Sequence, residues 1–431
     1  MRKKVTLLAL ALNCIVLQAQ DQIDFLCEDH TYVSNIATVQ FGPAGFQHLF
    51  PLLTLGGQGQ FLLSFDDLDA GAKNYVYSAI HCDRDWKPTD LSSLEYIEGF
   101  DEDNIYDYSF SFKTRHNYTH YELLFPNDNM DLAKTGNYIF VVFEDEDEKI
   151  PVITRRFVIV ENQVNIGAQI VRPSKVSKIH THQEIDFEIN TARLNPHNPM
   201  MEFRATVLQN SRWDNAITDV SPKFIISNKI SFDYQDKIVF PAGNEFRFLD
   251  LRSLRAPQSD INYVGLVNDK EVEAIMEPQI SRKKAGVHLS YADINGAYII
   301  ENFDQRNELL NGEYPQVLFT YKVDQPYYQE NVYFIGAITD WKIKRDYQLV
   351  YNPAISAYVG RFPFKMGYYN YFFATAPSEV DADEKMEVST AKTEGNFADT
   401  ENNYLILIYY RPFGSRYDQI IGSYQFNSSD R

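Results

Sequence analysis

The chain has 431 residues, with 59 Asp and Glu against 40 Lys and Arg and a formal net charge of -19. So acidic a protein repels nucleic-acid phosphates, and no Lys/Arg stripe offsets the repulsion, so nucleic-acid binding is excluded. The length suggests roughly two to four domains, each able to bury about two-thirds of its unfolded surface without a covalent staple.

Residues 1–20, MRKKVTLLALALNCIVLQAQ, read as a secretory signal peptide. Arg2, Lys3 and Lys4 form the positive segment, Val5 to Leu17 the apolar core, and Ala19 the small residue near the cut. That core rises only about 20 Å as a helix, too short for an ordinary membrane span. Asn13 precedes Cys14 where a lipoprotein wants a small residue, so Cys14 reads as discarded with the leader. No later segment is apolar for long enough to span a membrane as a helix. Cys27 and Cys82 remain in the mature chain. They could pair in an oxidising periplasm, but two cysteines make no disulfide scaffold, and Cys82 reads as a buried free thiol.

After the leader the chain reads as strands. FDDLDAG (65–71), with Asp66, Asp67 and Asp69, ends a first run, QFLLSFDD; it lacks the oxygen spacing of a calcium loop and reads as a hairpin connection. YVYSAIHC (75–82) is a second strand. It runs into HCDRDWKPTD, where His81, Cys82, Asp83, Asp85 and Trp86 crowd together. His81 and Cys82 are adjacent on a strand and diverge, so they cannot readily share a metal. His81 and Asp83 lie on one face, but a third local ligand is missing. A strand end suits the segment better, with Asp83 and Asp85 bonding turn amides and Trp86 plugging a sandwich.

In YDYSFSFKT (106–114), Tyr106, Tyr108, Phe110 and Phe112 alternate with Asp107, Ser109, Ser111 and Lys113, a period of two that predicts one core face. His116 and His120 flank NYT in a predicted loop. GNYIFVVFE (136–144) is another strand, and FEDEDEK (143–149) another hairpin connection. A boundary falls near Glu161-Asn162. Beyond it, His180 and His182 share a strand face as a half-site or a solvated edge. EIDFEIN alternates Ile185, Phe187 and Ile189 with acids, and QVLFTYKV alternates Val317, Phe319, Tyr321 and Val323 with polar residues. Similar runs occur at EFRATVLQ, KISFDYQ, NVYFIG, YYNYFFA and YLILIYY, with turn signals such as NPHNP and PAGN between them. The 29 tyrosines and 30 phenylalanines suit the half-buried faces of such sheets.

The prediction is therefore an all-β chain of tandem immunoglobulin-like sandwiches at 21–162, 163–285 and 286–431. Residues 332–375, with the loop GAITDW and its Trp341, resemble the glycogen- and starch-binding modules, in which further aromatics stack on sugars. Tyr368 and Tyr369 fall in the aromatic hairpin of that segment, and no tryptophan lies downstream. That resemblance raises a second function, a periplasmic carbohydrate-binding protein. A hydrolase with a carboxylate dyad is a third, but no GxSxG, HExxH, GxGxxG, P-loop or CxxC pair occurs. No catalytic, cofactor-binding or metal residue is assigned, and no cofactor is expected.

Several long phrases taken together resemble one family. They are FDDLDAGAKNYVYSAIHCDRDWKPTDL, YIEGFDEDNIYDYSFSFKT, NYTHYELLFPNDNM, GNYIFVVFEDEDEKIPVITRRFVIVEN, GNEFRFLDLRSLR and TENNYLILIYYRPFGSRYDQIIG. The chain is similar over about residues 30–424 to the plug proteins of the type IX secretion system of Bacteroidota. The resemblance implies a secreted periplasmic protein without catalysis, and the like charges of so acidic a chain would keep it monomeric when free. It would dock on a giant outer-membrane β-barrel translocon of SprA type and close its inner mouth when no substrate is bound. Loop residues Asp66, Asp67, Asp69, Asp83, Asp85, Trp86, Trp341, Tyr368 and Tyr369 are the candidates for that contact.

Overall fold

Alternation in the sequence becomes alternation of burial wherever a sheet has one covered face. Ile185, Phe187 and Ile189 all point into a core, as do Val317, Phe319 and Tyr321. The computed structural model describes residues 25–144, 149–258, 260–267, 270–283, 288–305, 309–378 and 388–430. The leader at 1–20, with Cys14, and the tip of FEDEDEK at 145–148 lie outside the described residues. The fold is all-β, and no helix among the described residues is long and apolar enough to cross a membrane.

Two sheets form the first unit. One runs His30–Thr31, Ile150–Val160, Gly136–Glu144, Tyr75–Cys82, Asp103–Asn104, with Leu52–Thr54 added in parallel to Ile150–Val160. The other runs Ile36–Pro43, Phe61–Asp67, Thr119–Phe125, Asp107–Phe110. Phe61, Phe65, Tyr75, Tyr121, Phe140 and Phe157 fill the space between them. Gly136–Glu144 is buried along nearly its whole length because both its faces are covered. Its far side, with Ile139, lies under Cys82 and Trp86. Two covered faces explain why this strand reads as continuously apolar instead of alternating.

The middle unit faces the sheet Asn165–Val171, His182–Asn190, Lys229–Ser231, Phe224–Ile226 against Ile217–Val220, Phe203–Gln209, Asn403–Tyr410, Gln419–Asn427. Two strands of this sandwich therefore come from the end of the chain, with Phe203 opposite Tyr410 and Gln209 opposite Tyr404. A third unit is inserted between Pro241 and Asn403. Its sheet runs Arg247–Asp250, Gly367–Pro377, Glu330–Ile335, Gln348–Asn352, Ala357–Pro363, Gln316–Lys322, Glu271–Met276, Ile261–Val267, and it curls over its own aromatic core.

Five expectations are corrected here. The sheets do not follow the contiguous segments 163–285 and 286–431, because periodicity marks strands but not their partners. FDDLDAG is no hairpin: Phe61–Asp67 and Tyr75–Cys82 lie in opposite sheets, and the loop crosses between them. His120 sits within the strand Thr119–Phe125, and His180 precedes the strand His182–Asn190, so it shares no strand face with His182. Finally, Tyr106, Tyr108, Phe110 and Phe112 are exposed, because the sheet opposite ends at the two-residue strand Asp103–Asn104 and no described residue covers the overhang.

The interleaved topology has a direct consequence. A chain ending at Ala398 would keep every strand of the third unit yet leave Phe203–Gln209 without its neighbour Asn403–Tyr410. We expect the middle sandwich to unfold in that chain, read as loss of hydrogen-exchange protection across His182–Asn190. Unchanged protection there would contradict the topology.

Candidate functional site

Asp66 and His120 stand opposite each other on neighbouring strands of the first unit, on the face turned away from its core. His120 Nδ1–H donates to Asp66 Oδ1 at 2.6 Å, the carboxylate being able only to accept. The other oxygen accepts a hydrogen bond from Lys365 Nζ at 2.6 Å, across the boundary with the third unit. The Tyr314 hydroxyl, also from the third unit, donates to that same oxygen. Thr38 bonds Tyr314 in turn at 2.7 Å, and Lys365 Nζ also reaches Leu309 O at 2.8 Å and lies 4.3 Å from the centre of the Tyr118 ring.

Asp66 is fully buried and Lys365 is 1% exposed. Burial alone would neutralise both charges. Lys365 and His120 outweigh it at Asp66 and hold the carboxyl below its usual range. At His120 burial is outweighed by Asp66 and Glu122, and the ring's pKa rises. Burial pulls Lys365 below its usual value, against the pull of Asp66. Both oxygens of Asp66 accept hydrogen bonds and Lys365 donates two, the kind of support a buried ion pair needs to be tolerated.

A second seam joins the first unit to the middle one. Trp86, in a turn with φ 62°, meets Trp213 edge to face at 4.8 Å. The Arg156 guanidinium lies 5.0 Å from Trp86 and 5.5 Å from Trp213, a cation held between two π faces. Phe50, Val158, Leu407 and Tyr409 continue this contact as an apolar layer, and Arg84 pairs with the buried Asp418 at 3.2 Å. The middle unit meets the third where Arg212 covers Trp341 at 4.2 Å. All three tryptophans of the chain thus sit at seams between units. The returning segment is pinned by Glu394, fully buried, which accepts from Arg247 at 3.0 Å, Arg282 at 2.7 Å and the Phe373 N–H at 3.0 Å.

The structure disperses the loop residues predicted to make contact. Asp66 is the buried hub just described. Asp67 is buried in the first unit, accepting from Asn35 and Tyr75. Asp83 accepts the amides of Asp85 and Lys87, the turn role expected of it. Trp86 plugs the seam rather than the interior of a sandwich. Trp341 is half-buried, with the Arg212 guanidinium 4.2 Å from its ring centre and Phe246 meeting it at 66°. Tyr369 is buried against Tyr298, and Tyr368 is half-buried against Phe248. Only Asp69 and Asp85 of this set are exposed. Cys82 is a buried free thiol, and Cys27 packs against it. His81 bonds Thr89 and the Thr135 carbonyl, and burial lowers its pKa to about 4, as suits a neutral structural ring.

Sequence reasoning found the strand Asp107–Phe110 but expected one of its faces to be core. It is exposed throughout and ends its sheet, and beside it runs an acidic groove of roughly 330 Å³ lined by Asp103, Asp107, Glu122, Asp128, Tyr106 and Leu124. The signal was present in YDYSFSFKT, but alternation alone cannot tell a covered face from an uncovered one.

These features define a class: a β-sandwich protein of three interlocked units, rigid at its seams, with surface features suited to binding. Residues 36–161, from the start of the strand Ile36–Pro43 to just past Ile150–Val160, match the first domain of the type 9 secretion system plug protein. The chain belongs to the type IX secretion plug family. Membership carries with it a periplasmic location near the outer membrane and association with the type IX translocon, and the family is not one of enzymes. A hypothetical protein from Parabacteroides merdae ATCC 43184, known from a crystal structure at 2.30 Å, is 30% identical. It superposes with a TM-score of 0.86 over 93% of this chain and 99% of its own, so the three-unit architecture is shared. No curated protein matches the chain.

Two outcomes follow for the Asp66 seam. Lys365→Met leaves a buried carboxylate short of its cation and should cost about 3–5 kcal/mol in urea unfolding. Asp66→Asn combined with Lys365→Met should cost less than Lys365→Met alone; equal or greater loss would refute the charge argument. With pH, the Asp66 contribution is present above its ordinary pKa of 3.8 and lost as pH falls through the depressed folded value. The His120 contribution is complete below its ordinary 6.5 and lost as pH rises through the raised folded value. The seam should therefore be strongest between those two values, measured as the urea midpoint against pH.

Proposed function

We propose that this protein is the stopper of the type IX translocon: a non-enzymatic plug that docks on the periplasmic mouth of the giant SprA-type outer-membrane β-barrel. It closes that mouth while no substrate occupies the channel, having been delivered to the periplasm by the leader at 1–20. The observation that carries this reading is the plug-domain match at 36–161 on a body whose units are locked by buried polar seams.

The physical requirement is simple. A barrel wide enough for folded cargo leaves an aqueous channel, and an empty one leaks. A body with few internal hinges loses little conformational entropy on each closure, whereas a loose assembly would lose it every cycle. A stable contact needs about 1,600 Å² in total, which one sandwich can supply. The acidity keeps free copies apart and favours a complementary, positively charged mouth.

The test is recovery of the translocon by tagged protein from detergent-solubilised envelope, with the channel empty and with it loaded by cargo. The expected result is a very large outer-membrane barrel recovered from the empty state and not from the loaded one. Equal recovery from both would remove the stopper function, and recovery of glycans in place of the barrel would favour the carbohydrate reading.

A further inference from the structure

The strand Asp107–Phe110 is bonded on one side only. Its neighbour is Thr119–Phe125, with Ser109 opposite His120, and beyond the strand Ser111 N–H donates to Tyr118 O at 2.9 Å. In an antiparallel ladder the backbone groups of successive residues point to opposite sides. Ser109 and Ser111 therefore bond inward, while Tyr108, Phe110 and Phe112 direct their backbone groups outward. Phe112 N–H is taken at 2.9 Å by Leu310 O of the third unit. The chain thus begins to add a segment along this edge and stops, leaving the outward groups of Tyr108 and Phe110 without a strand partner among the described residues.

The side chains add to the case. Tyr106, Tyr108, Phe110 and Phe112 are between 45% and 68% exposed. Proteins ordinarily blunt an open edge with lysine, proline or a bulge, because a bare apolar edge pairs with other strands. Here four aromatics line it instead, and such a patch marks an interaction site. The neighbouring groove decides what fits. Asp103, Asp107, Glu122 and Asp128 line it; Glu122 faces His120 at 3.7 Å, and no salt bridge from Lys or Arg reaches any of the four among the described residues. A second copy of this chain would bring the same carboxylates against themselves, on top of a net charge of -19 on each copy. Charge complementarity therefore selects a cationic occupant.

We propose that the outward edge at Tyr108–Phe110 is a strand-docking site that takes an extended segment of a partner protein in which Lys or Arg alternates with apolar residues. Its main chain bonds Tyr108 and Phe110, its cations face the carboxylate groove, and its apolar side chains meet the aromatics. That the translocon supplies the segment rests on the stopper reading; the docking chemistry does not.

The probe is a fluorescent peptide of alternating Lys and Val, with a Glu-Val peptide as control, titrated into the full mature chain by anisotropy. The Lys-Val peptide should bind, weaken as salt rises, and protect the Tyr108 and Phe110 amides from hydrogen exchange; the Glu-Val peptide should not bind. Phe110→Pro removes an outward N–H together with one of the four rings and should weaken binding about tenfold or more. Phe110→Lys keeps the N–H, sets a cation against the peptide, and decides the matter if the proline variant does not fold. Equal binding of both peptides, or unaltered binding by folded Phe110→Lys, would overturn the proposal. So would a dimer of the free protein that Phe110→Lys abolishes, which would make a second copy the occupant. Envelope recovery separates the two readings. Failure of the peptide with the barrel still recovered leaves the stopper and removes this site; binding of the peptide with no barrel recovered does the reverse.

Discussion

Lys365 can be buried only because Asp66 meets it, and Asp66 only because Lys365, His120 and Tyr314 use both of its oxygens. An apolar interface is non-directional and tolerates a few degrees of sliding. A buried ion pair does not, since small displacement leaves a charge unsatisfied in a medium that cannot solvate it. The two partners lie 299 residues apart and in different units. Their contact therefore sets how the first unit sits on the third, and the rest of the assembly follows from that placement.

The remaining seams work by the same rule with different chemistry. Arg156 between Trp86 and Trp213, and Arg212 over Trp341, hold cations against π faces where geometry matters as well as area. Glu394 gathers two arginines and a backbone amide in full burial. Insertion of the third unit between two strands of the middle one tethers it at both ends, so no single linker can act as a hinge. A body locked in this way suits repeated docking against a fixed rim. The polar groups that lock it are spent within the molecule, so what remains for a partner is the surface left uncovered, most plainly the aromatic edge beside the carboxylate groove.

Strand existence was legible because it depends on local alternation. YVYSAIHC predicts the observed strand Tyr75–Cys82 residue for residue, and EIDFEIN and QVLFTYKV predict both their strands and their buried faces. The turn role of Asp83 was legible for the same reason, since its partners lie two and four residues away. Family membership was legible from long ordered phrases. The candidate site was far less so. Asp66 looks like one more acid in an acidic loop, and nothing near it in the sequence announces Lys365. Trp341 was read from its own loop, without the Arg212 that covers it.

The sequence by itself determined the all-β class, most of the strands, the acidity and the family, because each is written in neighbouring residues or in composition. Only the tertiary structure decided which strands pair, which aromatics are core and which overhang, and where the charges are buried. Those outcomes depend on groups far apart in the chain meeting in space, and the same alternation serves a strand whether or not another sheet arrives to cover it.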